Sequence, residues 1–328
     1  MNQGPPQSEV PVQRVAEVFD KAKQEIGKVI VGQKDLVEGT LVALFAEGSL
    51  LLEGAPGLGK TLLVNVLSRT VSCHFKRVQF TPDLMPSDLT GHSIYNLKEQ
   101  EFDFRAGPIF TNLLLADEIN RSPPKTQSAL LEAMQERQVT VDGKTYRLPQ
   151  PFLVLATQNP LEHEGTYPLP EAQVDRFMFK LLVDYPTPEE ETDILNHYME
   201  GKDPRDLASY GLEPVVSASE IVDIQKAAAG VLVEGPIRQY ITELVSQTRN
   251  WHSVAVGASP RASVNLLVAS RVLAATRGRD FVIPDDVKEL APDVLRHRLR
   301  LVGESEMEGE TADRVITQIL ESVKAPRQ

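Results

Sequence analysis

One short segment constrains this chain more than any other. Residues 51–61 read Leu-Leu-Glu-Gly-Ala-Pro-Gly-Leu-Gly-Lys-Thr, which sets the spacing G-x-x-x-x-G-K-T between an apolar run and a helical stripe. Gly54, Gly57 and Gly59 let the backbone curl with its N–H groups pointing inward, a cradle for phosphate oxygens. Lys60 brings a compact positive charge to the outer phosphates, and the Thr61 hydroxyl is an oxygen ligand for Mg²⁺. The helix that starts there adds its positive dipole end. Leu62, Leu63, Val66 and Leu67 keep helical spacing behind the loop, and residues 49–53 read as a buried strand in front of it. A strand, a phosphate loop and a helix in this order imply a nucleoside triphosphate site.

A second element bears on what happens to the nucleotide. Residues 110–118 form an apolar run that ends in Asp117 and Glu118. A strand apolar on both faces belongs inside a parallel sheet, and ligands of such sheets sit beyond the carboxyl ends of the strands. Asp117 is placed to hold Mg²⁺, which leaves Glu118 to polarise an attacking water as general base. A helix follows Ser122-Pro123-Pro124, so an acidic helix cap is the competing reading of the pair. A third apolar run, 152–157, leads to Asn159 at the same sheet edge. Asn159 could hydrogen-bond the γ-phosphate or the water, or simply open the turn before Pro160.

Composition bounds the rest. The 328 residues suffice for two compact domains with real cores. A single cysteine, Cys73, excludes a disulfide framework and fits a reducing, cytoplasmic setting. No apolar run reaches the ~18 residues of a membrane helix. A net charge of −12, with no Lys/Arg block, argues against a nucleic-acid partner. His163, between Glu162 and Glu164, reads as part of a solvated loop rather than a metal site.

Along the chain, residues 1–12 read as a polar, proline-rich tail. Residues 13–186 alternate helices with strands near 49–53, 75–80, 109–117, 152–157 and 177–183, which predicts an α/β core: a parallel sheet with helices on both faces. Residues 187–328 then turn helical, an all-α lid. Pro236 starts one helix; Ser259 caps another that Gly278 closes; 287–295 and 312–323 give two more. Two insertions interrupt the core. Residues 91–105 read as a hairpin, and 139–146 as a stronger one, with Asp142-Gly143 at its turn.

Residues 54–61, 113–118, 157–160, 165–177 and 257–262 together resemble the MoxR family of AAA+ ATPases, from about Val15 to the C-terminus. The string Glu-Gly-Thr-Tyr-Pro-Leu-Pro-Glu-Ala-Gln-Val-Asp-Arg-Phe carries most of the specificity. The resemblance implies a P-loop core with a C-terminal lid, ATP and Mg²⁺ as ligands, and ATP hydrolysis. The nucleotide-contacting set is then Val31, Gly32, Gly54, Ala55, Pro56, Gly57, Leu58, Gly59, Lys60, Thr61 and Leu62, with Thr61 and Asp117 on Mg²⁺. The two hairpins correspond to the helix-2 insert and the pre-sensor hairpin.

Two arginines enter the expected catalytic set beside Glu118 and Asn159. Arg261 lies in the first turn of its helix, where the dipole disfavours a cation by roughly 0.3–1 kcal/mol. A bound anion would offset that, and sensor-2 arginines meet a γ-phosphate from such a position; a solvated surface role is the alternative. Arg176 follows Glu171 near a helix end, where a cation is favourable anyway. Only the resemblance marks it out, as the arginine finger that reaches a neighbour's nucleotide. The same resemblance implies a homo-oligomeric ring, hexameric, that remodels partner proteins bearing a von Willebrand factor A domain. The motor subunit of a magnesium-chelatase-like complex and an ATP-timed scaffold are the alternatives.

Overall fold

The computed structural model describes residues 10–55, 57–159 and 166–326. Most of the expected tail, Pro56, the acidic His163 loop and Gly165 lie outside the described residues.

In chain order the strands are β1 (Leu50–Glu53), β2 (Phe75–Gln79), β3 (Gly91–Asn96), β4 (Glu101–Ala106), β5 (Leu113–Asp117), β6 (Gln138–Val141), β7 (Lys144–Arg147), β8 (Leu153–Gln158) and β9 (Phe179–Leu182). The helices of the first half are α1 (Val12–Gly27), α2 (Lys34–Phe45), α3 (Lys60–Thr70), α4 (Pro86–Thr90), α5 (Pro124–Glu136) and α6 (Glu171–Val174). Then come α7 (Pro188–Met199), α8 (Ala218–Ala229), α9 (Gly235–Asn250), α10 (Pro260–Thr276), α11 (Pro284–Leu295), α12 (Gly303–Met307) and α13 (Ala312–Ser322).

The central sheet has the order β2-β5-β8-β1-β9, and every adjacent pair is parallel. Side-chain alternation explains why its inner strands are apolar up to their carboxyl ends. Leu50, Leu52, Leu113, Leu115, Leu153 and Leu155 face one core, shared with α1, α2, α3 and the C-terminal helices. Leu51, Leu114, Ala116, Val154 and Ala156 face a second core, shared with α5. Each buried leucine contributes about 1.5–3 kcal/mol relative to exposure. Stripping either layer of helices would therefore expose a whole apolar sheet face.

The expected strand at 109–117 begins only at Leu113. Before it the chain turns, and side-chain bonds add to the backbone ones: Thr111 Oγ1 donates to the His74 carbonyl at 2.9 Å, and Asn112 Nδ2 donates to that of Pro151 at 2.9 Å. Both hairpins form. Asp142 and Gly143 take φ values of 50° and 76°, the left-handed pair that a tight two-residue turn requires. Phe104 of β4 stacks on Tyr146 of β7 at 4.0 Å between ring centroids, which joins the two hairpins.

The C-terminal half is helical apart from small strand pairs. Ser259 caps α10 by accepting from the Arg261 N–H at 3.2 Å, and Gly278 lies just past its end with φ of 69°. The helix α1 packs on α10, α8 and α3, so the first helix ties the two halves together.

Candidate functional site: a phosphate loop facing two acids

The loop at the end of β1 turns on glycines for two different reasons. A Cβ on Gly54 would sit 2.4 Å from the Val183 carbonyl oxygen, so only glycine allows β1 and β9 to approach there. Gly59 has open space around it, but its φ of 78° is left-handed, and it caps α3. Lys60 is therefore the first residue of α3, and its Nζ donates to the Gly54 carbonyl at 2.6 Å. Burial lowers the Lys60 pKa, while Asp117, Glu118 and Glu53 pull it back up.

A cleft of roughly 420 Å³ opens above this loop. Gly54, Gly57, Leu58, Gly59, Lys60, Thr61 and Leu62 line it, together with Asp117, Glu118, Asn159, Arg77, Gln79, Thr157 and Gln158. Three strand ends meet here, because β1, β5 and β8 run parallel and finish at one edge. An apolar cavity of roughly 220 Å³ adjoins it, shares Gly57, Leu58, Gly59 and Leu62, and adds Val31, Ile194, Tyr198 and Tyr210. The pair has the shape of a phosphate site continued by a pocket for a flat apolar group.

The acids are held by partners that sequence reasoning missed. Thr157 Oγ1 donates to Asp117 Oδ1 at 2.6 Å and accepts from the Glu118 N–H at 2.8 Å. Arg77 donates to Asp117 Oδ2 from Nε at 3.1 Å and Nη2 at 2.6 Å. Gln79 Nε2 donates to Glu118 Oε2 at 2.7 Å, and Arg121 Nη1 does so at 3.2 Å. Glu118 precedes a single 3₁₀ turn (Ile119–Arg121), yet its carboxylate caps nothing. Its φ of 55° is a strained value for a residue with a Cβ, of the kind that concentrates at functional sites. The helix-cap reading of Glu118 therefore fails on geometry.

The other expected residues distribute as follows. Asn159 is buried and lines the cleft directly after β8. Val31 lines the apolar cavity, whereas Gly32 turns away from it and packs on Glu190. Ala55 belongs to the loop without lining either cavity. Arg176 and Arg261 are not part of the cleft lining. The Arg176 guanidinium meets no hydrogen-bonding partner among the described residues, and Arg261 Nη1 donates to Asp175 at 3.3 Å. The helix before Arg176, α6, is a single turn, too short for its dipole to account for a cation there.

A magnesium ion suits this donor set. Mg²⁺ typically takes one or two protein oxygens and fills its shell with phosphate oxygens and water. The Thr61 hydroxyl and the Asp117 carboxylate, which line the same cleft, supply that number. Among the described residues no cluster of three or more His, Cys, Asp or Glu offers a competing metal site.

Comparison with known proteins agrees with this geometry. Residues 49–179 match the family model for the ATPase family associated with various cellular activities (AAA), and residues 246–319 match that for the AAA lid domain. The fold is thus that of an AAA+ ATPase with its lid domain. The chain is 47% identical over 320 residues to the chaperone MoxR1 of Mycobacterium tuberculosis, covering 94% of this chain and 82% of that one. It is 50% identical over 311 residues to the uncharacterized protein YeaC of Bacillus subtilis, covering 95% and 96%. A crystal structure from Cytophaga hutchinsonii superposes with a TM-score of 0.88 at 43% identity, covering 96% and 97%. This chain belongs to the MoxR family of AAA+ ATPases.

Proposed function

We propose that the chain is a ring-forming, Mg²⁺-dependent ATPase that splits ATP into ADP and phosphate and uses the cycle to remodel a partner protein. One observation carries the reading: Lys60 and Thr61 line the same cleft as Asp117, Glu118 and Asn159. Lys60 neutralises the outer phosphates as charge develops on them. Mg²⁺, held by Thr61 and Asp117, would draw charge from the β- and γ-oxygens. Glu118 takes a proton from the attacking water, which Asn159 orients. Val31 and the apolar cavity receive the adenine ring, and Gly32 shapes the backbone beside it.

Arg176 completes the site of an adjacent protomer, and the lack of a hydrogen-bonding partner for its guanidinium among the described residues supports that role. A hexamer fits the reading. The hinge between core and lid falls near residue 186, so opening and closing of the cleft moves the lid. Partners with a von Willebrand factor A domain are the expected clients. A cytoplasmic setting goes with this, supported by the solitary Cys73, whose thiol burial pushes up to about 11. No helix among the described residues is long and apolar enough to cross a membrane.

Complementation tests the assembly. Arg176→Ala is expected to bind ATP yet hydrolyse poorly, and Lys60→Ala to do neither. Mixed oligomers should regain activity, because some interfaces then pair an intact loop with an intact Arg176. Verified mixed oligomers with no recovery would contradict the role in trans.

A further inference from the structure

A polar junction between the C-terminal helices and the sheet centres on Asp175, the residue before Arg176. Asp175 Oδ1 accepts from Arg298 Nε at 2.7 Å. Its Oδ2 accepts from Ser259 Oγ at 3.0 Å and from Arg261 Nη1 at 3.3 Å. The Arg298 side chain is 1% exposed and donates as well to the carbonyls of Asp175, Phe177 and Met178. One buried guanidinium therefore holds the backbone on both sides of Arg176. Arg296 adds a bond from Nη1 to the Lys180 carbonyl at 2.7 Å.

The two arginines on Asp175 differ in kind. Arg298 is buried, and it donates to five acceptors: Asp175 Oδ1 and the carbonyls of Asp175, Phe177, Met178 and Val294. Arg261 is 40% exposed and gives Asp175 one long N–H bond. One carboxylate facing two guanidinium groups leaves an excess positive charge at the junction. An anion can thus recruit Arg261 without unpairing the carboxylate, since Arg298 and Ser259 still hold it. Asp175 then loses the pull on Oδ2, and the residue it adjoins is Arg176.

We propose that Asp175 is a positioning residue for hydrolysis: it ties Arg261 to Arg176, so that what Arg261 binds in one protomer is felt at the arginine offered to the next. The inference rests on Arg176 acting on a neighbouring chain's nucleotide. It assigns Asp175 no contact with ATP.

The test compares Asp175→Asn, Asp175→Glu and the double variant Asp175→Asn/Arg298→Met. The double variant covers the case in which Arg298, left buried without a counter-charge, unfolds the single one. Folded Asp175→Asn or the double variant should bind ATP within about threefold of wild type and lose about tenfold or more in kcat, because misplacing a reacting group costs rate rather than binding. Asp175→Glu should recover part of the loss. Mixing the defective variant with Lys60→Ala should restore turnover, as is expected for Arg176→Ala mixed with Lys60→Ala. Wild-type kcat in a folded variant overturns the inference. So does a defect that Lys60→Ala fails to rescue while Arg176→Ala is rescued, since Asp175 would then act within its own chain. Failure of the Arg176→Ala rescue itself identifies the trans reading as the fault, and the inference falls with it.

Discussion

Arg77 donates two hydrogen bonds to a single oxygen of Asp117, from Nε at 3.1 Å and from Nη2 at 2.6 Å, while Thr157 holds the other oxygen. The carboxylate expected to serve Mg²⁺ is thus fully engaged by protein. A metal ion approaching Asp117 must displace Arg77 or bind through water. Arg77 is half exposed, so the contact is screened and its replacement costs little.

This gives a direct expectation for metal dependence. Arg77→Ala should lower the Mg²⁺ concentration for half-maximal ATPase activity by about threefold, the scale of a weak exposed ion pair. Titrating MgCl₂ at saturating ATP reads it. A higher Mg²⁺ requirement would mean instead that Arg77 helps to build the metal site.

Much of the sheet was legible because its inner strands are apolar up to their carboxyl ends, a pattern that parallel burial imposes. The phosphate loop was legible because its glycines and Lys60-Thr61 are local in sequence. Arg77 and Gln79 were not. Nothing in the strand near 75–80 marks them, and their targets follow only from the register that pairs Gln79 with Asp117. The Asp175 junction was hidden for the same reason, as Arg298 is 123 residues away. Thr157 alone offered a hint, a hydroxyl at the end of an otherwise apolar run. The start of β5 was misplaced because the chain turns just before it, with the Phe110 and Thr111 N–H groups donating to the Gly107 and Ile109 carbonyls.

Acid sensitivity should reside partly in His297. Its Nε2 lies 3.2 Å from the Phe177 carbonyl, and its Nδ1 is buried without a partner. Burial, chiefly, and then the nearby Arg298, Lys180 and Arg296 charges push its pKa well below the ordinary value, against a weaker opposing pull from the Phe177 carbonyl. A depressed His pKa means that the native state binds fewer protons than the unfolded one below about pH 6.5. Stability is therefore full above that pH and falls as pH drops toward the native-state pKa. Denaturant midpoints measured from pH 7.5 to 5 should fall less steeply in His297→Gln than in wild type. Parallel slopes would remove His297 from the account.

Gly32→Ala should disturb the nucleotide pocket indirectly. The φ of 68° disfavours a side chain, and a Cβ would lie 2.4 Å from the Glu190 carboxyl group. That carboxylate accepts from the Thr187 N–H at 2.9 Å and so caps α7, which lines the apolar cavity. Strain and a lost cap together cost about 1–3 kcal/mol. Thermal melts should shift down, and ATP affinity should weaken with little change in kcat. An unaltered melting temperature would show that Glu190 moves freely.

Partner binding should use the β3–β4 hairpin. Leu97 and Phe102 are exposed there, beside the carboxylates of Glu99, Glu101 and Asp103. Asp103 Oδ2 is partly occupied by Asn96 Nδ2 at 2.8 Å, which leaves Glu99 and Glu101 as the freer acids. Changing all three to Ser should weaken capture of a von Willebrand factor A domain partner about tenfold or more, as loss of a metal ligand would. A chelator should have the same effect on wild type. Undiminished, chelator-insensitive capture would clear the hairpin.

The central claim is that one cleft both binds ATP and hydrolyses it, with Lys60 needed for the first step and Glu118 for the second. Binding isotherms and phosphate-release rates on Lys60→Ala and Glu118→Gln test it most directly. Lys60→Ala should lose ATP affinity, and Glu118→Gln should keep it while kcat falls by a factor of about 10² or more, the range for removing a general base. Wild-type turnover in Glu118→Gln would contradict the account.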